Sequence, residues 1–183
     1  VMLVVRLDFN YWLAFPIAGF ATALVAYVLG YPALKLKGAY FGILTLTFGV
    51  VIKQIIVLNE FRPYTGGAIG IYNIPPPSNF FGVNFALSKV PYFYFMLGIF
   101  LATIAVMYLM ERSRLGTTFA AINQSDTLAE SVGIDIARYK VLAFVVASMF
   151  TGLVGAFSAH YFLLVHPENY RMWDSIYYVA YAI

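Results

Sequence analysis

The sequence predicts an all-α fold: a polytopic transmembrane helical bundle carrying one short polar helix on its cytoplasmic side. Three observations lead there. First, 62% of the residues are hydrophobic and 10% charged, with a mean hydropathy of +0.83, whereas soluble domains hold roughly 45–50% apolar and about 25% charged residues. Second, four apolar stretches reach the roughly 20 residues that cross a hydrocarbon layer at about 1.5 Å per residue. Third, residues 116–140, GTTFAAINQSDTLAESVGIDIARYK, form a polar, helix-coded island between two of those stretches.

In chain order, residues 1–5 read as the tail of an earlier span. Spans follow near 11–34, 39–58, 92–110 and 139–165, and a fifth starts near Ile176. Backbone groups in lipid must be paired within the chain, and these runs lack the alternation of barrel strands, so each must be helical. Residues 1–183 are read as one transmembrane domain. The chain starts at Val1 and stops inside an apolar run, so a piece truncated at both ends is expected.

Loop charges set the expected orientation. Lys35 and Lys37 lie in the first short connection, and Arg112, Arg114, Arg138 and Lys140 flank the island. Six of the 11 basic residues thus occupy alternate, same-side loops, which the positive-inside rule assigns to the cytoplasm. Arg6, Arg62, Lys89 and Arg171 fall on the opposite side. The longest external connection, 59–91, contains TGGAIG at 65–70, a backbone-flexible loop, and the stiff spacer Pro75, Pro76 and Pro77. Either shapes an external mouth or serves as a surface connector.

Within the island, Thr127 and Glu130 have the spacing of a capping box. Thr127 would accept from the Glu130 N–H while the Glu130 carboxylate returns to the Thr127 N–H. Gly133 supplies a stop after about two turns. So short a helix between spans has no core of its own to bury, and is read as a part that a cytoplasmic partner grips.

Other chemistry is narrowed by absence. The net charge of +3 comes from basic residues beside spans, where topology explains them, so nucleic acid is not expected as a partner. There is no Cys, and two His residues without acidic helpers make no metal cluster; no cofactor is expected. No G-x-x-x-x-G-K-[ST] pattern occurs, so any ATP hydrolysis belongs to a separate subunit. H-E-x-x-H, G-x-S-x-G and paired intramembrane carboxylates are also missing, which argues against an enzyme.

A few intramembrane residues stand out. Lys53 is a cation inside a span, where a central charge costs at least about 2.5–3.5 kcal/mol. It snorkels outward, packs against Gln54, or lines a pathway. His160 and His166 read as hydrogen-bonded within the bundle rather than as ligands or a proton relay. Ser148, Gly152 and Ala156 recur every four residues, with Gly155 and Ala159 alongside, so a second helix can approach closely there. Gly38 and Gly42 form a weaker instance.

Three motif regions resemble one known family, the permease subunits of branched-chain amino acid ABC importers, of the LivM type. YPALKLKGAYFGILTLTFG at 31–49 resembles the family's L-x-L-R-G-x-Y-x-A-I-x-T-L-x-F-G region, with Lys53 at its following basic position. TGGAIGI at 65–71 with Ile74 and Pro75 resembles its T-G-G-x-x-G-I…I-P loop. RSRLGTTFAAINQSDTLAESVGIDIARYKVLAF at 112–144, running on to GLVGAFSAHY at 152–161, resembles its longest and most specific stretch. Val50 stands where many members carry an acidic residue, and the family's N-terminal span and Gly-rich C-terminal segment have no counterpart here.

The resemblance implies that loop 111–138 is a coupling loop, with Ala129-Glu130-x-x-Gly133 at the E-A-A-x-x-x-G-type motif. Thr127, Ala129, Glu130 and Gly133 become candidate ATPase-coupling residues. Thr65, Gly66, Gly67 and Gly70 become a candidate external gate loop or binding-protein contact, and Thr45, Thr47 and Lys53 candidate path-lining residues. The implied function is import of branched-chain or other hydrophobic amino acids across the inner membrane. Implied partners are ATP-binding cassette subunits, a second permease, a periplasmic or lipid-anchored solute-binding protein and a small-molecule substrate. Alternatives are a urea or short-amide ABC permease, and an ATP-independent channel or secondary carrier. An intramembrane enzyme using His160 or His166, and a scaffold half whose partner forms the path, are further readings.

Overall fold

The structure is a computed structural model describing residues 4–5, 9–34, 39–77, 85, 88–169 and 177. The fifth span expected from Ile176, most of the tail 1–5, and Arg6, Lys35, Lys37, Gly38 and Arg171 lie outside the described residues.

Helix α1 covers Tyr11–Ala33 and starts at Asn10, whose side chain accepts from the Trp12 N–H. Helix α2 covers Ala39–Val57, apolar apart from Thr45, Thr47, Lys53 and Gln54. A short α3, Arg62–Thr65, leads through a 3₁₀ turn, Gly67–Ile69, into strand β1, Ile71–Tyr72. Helix α4 spans Val90–Arg112 with Pro91 in its first turn, where the missing N–H costs nothing. Two short helices follow, α5 at Arg114–Gln124 and α6 at Asp126–Ser131. Helix α7, Ile136–Phe162, is followed by strand β2, Leu164–Val165, and a 3₁₀ turn, Pro167–Asn169.

Among the described residues, α1, α4 and α7 are long and apolar enough to cross a membrane. The all-α bundle is therefore as expected, with shifted boundaries. The span expected at 139–165 begins earlier, because Asp135 accepts from the Arg138 N–H at 3.2 Å and caps α7. It also ends earlier. Leu163 adopts a left-handed conformation, and Leu164 and Val165 leave the helix to pair antiparallel with Tyr72 and Ile71.

Helices α1 and α7 run antiparallel along their length. Tyr11 packs on His160, Gly19 faces Leu153, Thr22 faces Gly152 and Gly30 faces Phe144. This is the close approach that the small residues of α7 foreshadow, since packing rather than burial from water holds helices together in lipid. An aromatic cluster closes one end of the bundle: Phe85, Tyr92 and Phe157 are buried, with Trp12, Phe15, Phe95 and Tyr161 packed against them. Outward faces stay apolar, as with Phe20 and Leu24 on α1 and Phe93 and Leu109 on α4, which suits a lipid solvent.

Candidate functional site

The polar island folds back on itself. Ser113 ends α4 and starts α5, its hydroxyl accepting from the Leu115 N–H at 3.1 Å. A Cβ on Gly116 would strike the Glu111 carbonyl, so the sharp elbow between α4 and α5 requires glycine. Helix α5 lies under α6, and Ile122, Ala129 and Ile136 form a small apolar core with Ile134 and Tyr139 against it.

The expected capping box is not what starts α6. Ser125 is the N-cap and accepts from the Leu128 N–H at 3.3 Å, and Thr127, already inside the helix, lies 3.0 Å from the Ser125 hydroxyl. Position matters here: the helix begins at Asp126, which puts Leu128 rather than Glu130 three residues past the cap. The stop at Gly133 is as read. Gly133 has φ of 85°, its N–H reaches the Glu130 carbonyl at 2.9 Å, and the Ile134 N–H reaches the Ala129 carbonyl at 3.1 Å, the paired bonds of a Schellman ending.

The expectation that so short a helix has no core is also corrected. Ala129 is only 2% exposed and seats α6 on α5 and α7. A Lys140 ammonium 2.9 Å from Asp126 adds a tie from α7, and Arg138 meets Asp135 at 2.7 Å. Of the four candidate coupling residues, Ala129 therefore faces inward and Gly133 shapes the backbone, while Thr127 and Glu130 are exposed. Leu128 and Val132, at 69% and 75% exposure, share the outer surface with them. Sequence reasoning missed these two, although an apolar pair four apart on a polar helix is a readable signal.

At the opposite end, the Gly-rich segment is packed rather than loose. The Thr65 hydroxyl donates to the Ile56 carbonyl at 2.7 Å and accepts from the Gly67 N–H at 3.1 Å, fastening the segment to the end of α2. Gly66, Gly67 and Gly70 all have positive φ, and a Cβ on Gly70 would strike the Val165 carbonyl. Glycine here permits close backbone packing on β2. Pro75, read as either mouth or connector, presents its carbonyl 2.9 Å from Nδ1 of His160, so that histidine is hydrogen-bonded within the bundle as expected. His166 Nδ1 accepts from the Glu168 N–H at 3.1 Å.

The three candidate path residues separate. Lys53 pairs with Glu168, at 3.3 Å, on the side of the Gly-rich segment. Thr47 is exposed, with its hydroxyl donating to the Ile43 carbonyl at 2.8 Å. Thr45 lines a cleft of about 760 Å³ between α1, α2 and α7, whose walls are otherwise mostly small or apolar, with Thr22, Ser148 and Thr151 as further hydroxyls. A second cavity of about 550 Å³ lies among α4, α5 and α7, with Glu111 and Asn123 its polar walls. Among the described residues no group of three or more His, Cys, Asp or Glu could hold a metal ion.

Comparison with known proteins places this architecture. Residues 1–183 match the family described as "Branched-chain amino acid transport system / permease component". Two relatives are the high-affinity branched-chain amino acid transport system permease proteins LivM of Salmonella typhimurium strain LT2 and Escherichia coli strain K12. Each is 29% identical over 195 aligned residues, covering 95% of this chain and 45% of the relative. The chain thus spans a little under half the length of these curated relatives. No solved structure matches it. With three membrane-length helices among its described residues and a family match along its whole length, the chain belongs to the branched-chain amino acid transport permease family.

Proposed function

We propose that the chain is part of the permease subunit of an ATP-driven importer in the inner membrane, moving branched-chain or other hydrophobic amino acids. ATP is hydrolysed on separate subunits that grip α6, and a second permease and a solute-binding protein complete the assembly. The observation that carries this reading is the seating of α6: it is wedged onto α5 and α7 through Ala129 and the Asp126–Lys140 pair while offering Thr127 and Glu130 outward.

The geometry supports a route for coupling. A push on α6 is passed by contact to Ile136 and Lys140 at the start of α7. Helix α7 in turn carries α1 along its small-residue face and forms one wall of the 760 Å³ cleft. A mostly apolar cleft with a few hydroxyls suits a small ligand with an aliphatic side chain.

The test is a detergent pull-down of the full-length permease with its candidate ATP-binding subunit, comparing wild type with Glu130→Arg. Glu130 makes no described side-chain hydrogen bond, so the reversal perturbs the fold by no more than about 0.5 kcal/mol. Capture by wild type that the mutant loses supports the coupling role. Failure of the wild type to capture any ATPase favours a channel or secondary carrier, and loss of the mutant from membranes contradicts the assignment of Glu130 to an outer face.

A further inference from the structure

We propose that His160, Pro75 and Tyr11 form a latch that holds the outer segment 62–77 on the bundle, and that this latch opens during transport. Its opening in the cycle rests on the permease reading; the latch itself rests on geometry alone. His160, in the last turn of α7, is 2% exposed. Its Nδ1 lies 2.9 Å from the Pro75 carbonyl oxygen, 85 residues away in sequence. A carbonyl only accepts, so Nδ1 carries the hydrogen.

The bond completes a short series of ties. Ile71 and Tyr72 pair with Val165 and Leu164, and the Ile74 N–H donates to the Leu163 carbonyl at 3.3 Å. Beyond Ile74 come Pro75, Pro76 and Pro77, which have no N–H to extend the pairing. The final anchor must therefore come from a side chain, and His160 supplies it. Ile74, beside this anchor, is 2% exposed.

The closed arrangement carries its own opposition. Tyr11 is 4% exposed with its ring edge-on to His160 at 4.6 Å, and its buried hydroxyl has no hydrogen-bond partner among the described residues. Buried polar groups are nearly always paired, so an orphan of this kind calls for an explanation. Asn73 and Leu163, which flank the tie, have φ of 54° and 57°, a region that non-glycine residues seldom occupy. Release of Pro75 admits water to the Tyr11 hydroxyl and frees the His160 N–H to meet it. At its outer end the closed state is thus secured by the His160–Pro75 bond and opposed by the unpaired Tyr11 hydroxyl, a balance suited to a two-state element. Val165, which pairs with Ile71 and packs against Gly70, also lines the large cleft, so movement of the segment reaches the cleft wall.

The experiment uses the full-length permease in membranes with its transport partners, any cysteine elsewhere in the assembly replaced, and Ile74→Cys labelled by a membrane-impermeant maleimide. Tyr72→Cys, at a position 52% exposed, is the folding control and labels quickly in every background. At rest, His160→Ala is expected to speed Ile74→Cys labelling about fivefold to tenfold, the equivalent of one hydrogen bond. His160→Asn, whose amide can donate to the same carbonyl, restores slow labelling, and Tyr11→Phe slows it below wild type by removing the orphan hydroxyl. No acceleration in His160→Ala, no rescue by Asn, or faster labelling in Tyr11→Phe overturns the latch. During turnover with ATP and leucine, labelling rises if the latch opens in the cycle; unchanged labelling during active import overturns that opening. Absence of import by the wild-type assembly, with the resting order intact, overturns the permease reading and leaves the latch standing.

Discussion

Replacing Gly152 by Ala tests the contact on which the bundle depends. A Cβ at that position would lie 2.8 Å from both Cβ and Cγ2 of Thr22, and closer still to its hydroxyl oxygen. Optimal carbon–carbon separation is about 3.5–4.0 Å, so α1 and α7 must part by roughly 1 Å at this level. Rotating the Thr22 side chain gives no escape. Its Cβ is fixed by the backbone, and its hydroxyl already donates to the Ala18 and Gly19 carbonyls at 3.0 and 2.9 Å. Overpacking of this kind costs about 1–3 kcal/mol, while the higher helix propensity of Ala returns up to about 1 kcal/mol. The net expectation is a loss of up to about 3 kcal/mol. Gly155 lies on the same helix with no atom within 4 Å of its virtual Cβ, so Gly155→Ala keeps only the propensity gain. Thermal unfolding of the purified full-length protein in detergent should rank Gly155→Ala at or above wild type and Gly152→Ala below it. Thr22→Gly, which removes the struck Cβ, should recover most of the Gly152→Ala loss in a double-mutant cycle. Equal stability of the two alanine variants, or no coupling between residues 22 and 152, would refute the packing argument.

Three further outcomes follow from the same geometry. Gly133→Ala forces a side chain into left-handed backbone at φ 85° and should cost about 1–2 kcal/mol locally, seen as faster proteolysis between α6 and α7, with Gly133→Asn milder. Ala129→Leu overfills the 2%-exposed seat of α6 and should lift that helix, raising amide exchange across Asp126–Ser131; unchanged exchange would show that Ala129 is not a seat. Lys53→Met removes a partly exposed ion pair with Glu168 and should change stability by no more than about 1 kcal/mol. A tenfold or greater loss of import in a fully folded Lys53→Met variant would place Lys53 in the path.

The sequence by itself determined the fold class, because hydrocarbon length and the need to pair backbone groups leave helices as the solution for apolar runs such as 11–34 and 92–110. It also determined the glycine stop at Gly133, which needs left-handed backbone, and the small-residue face of α7, which lets another helix approach closely. The start of α6 was misread because Ser125 and Thr127 are both good caps, and local propensity does not say which of two adjacent hydroxyls the backbone will use. Tertiary structure alone decided which helix lies on that small-residue face, that Ala129 points inward while Thr127 and Glu130 point out, and that Thr45 reaches a cleft while Thr47 and Lys53 do not. It alone joined Pro75 to His160 and Lys53 to Glu168. Those pairs lie 85 and 115 residues apart in the chain. Local patterning records which face of a helix is apolar, but partners at that separation are chosen by how whole helices and their connecting segments pack.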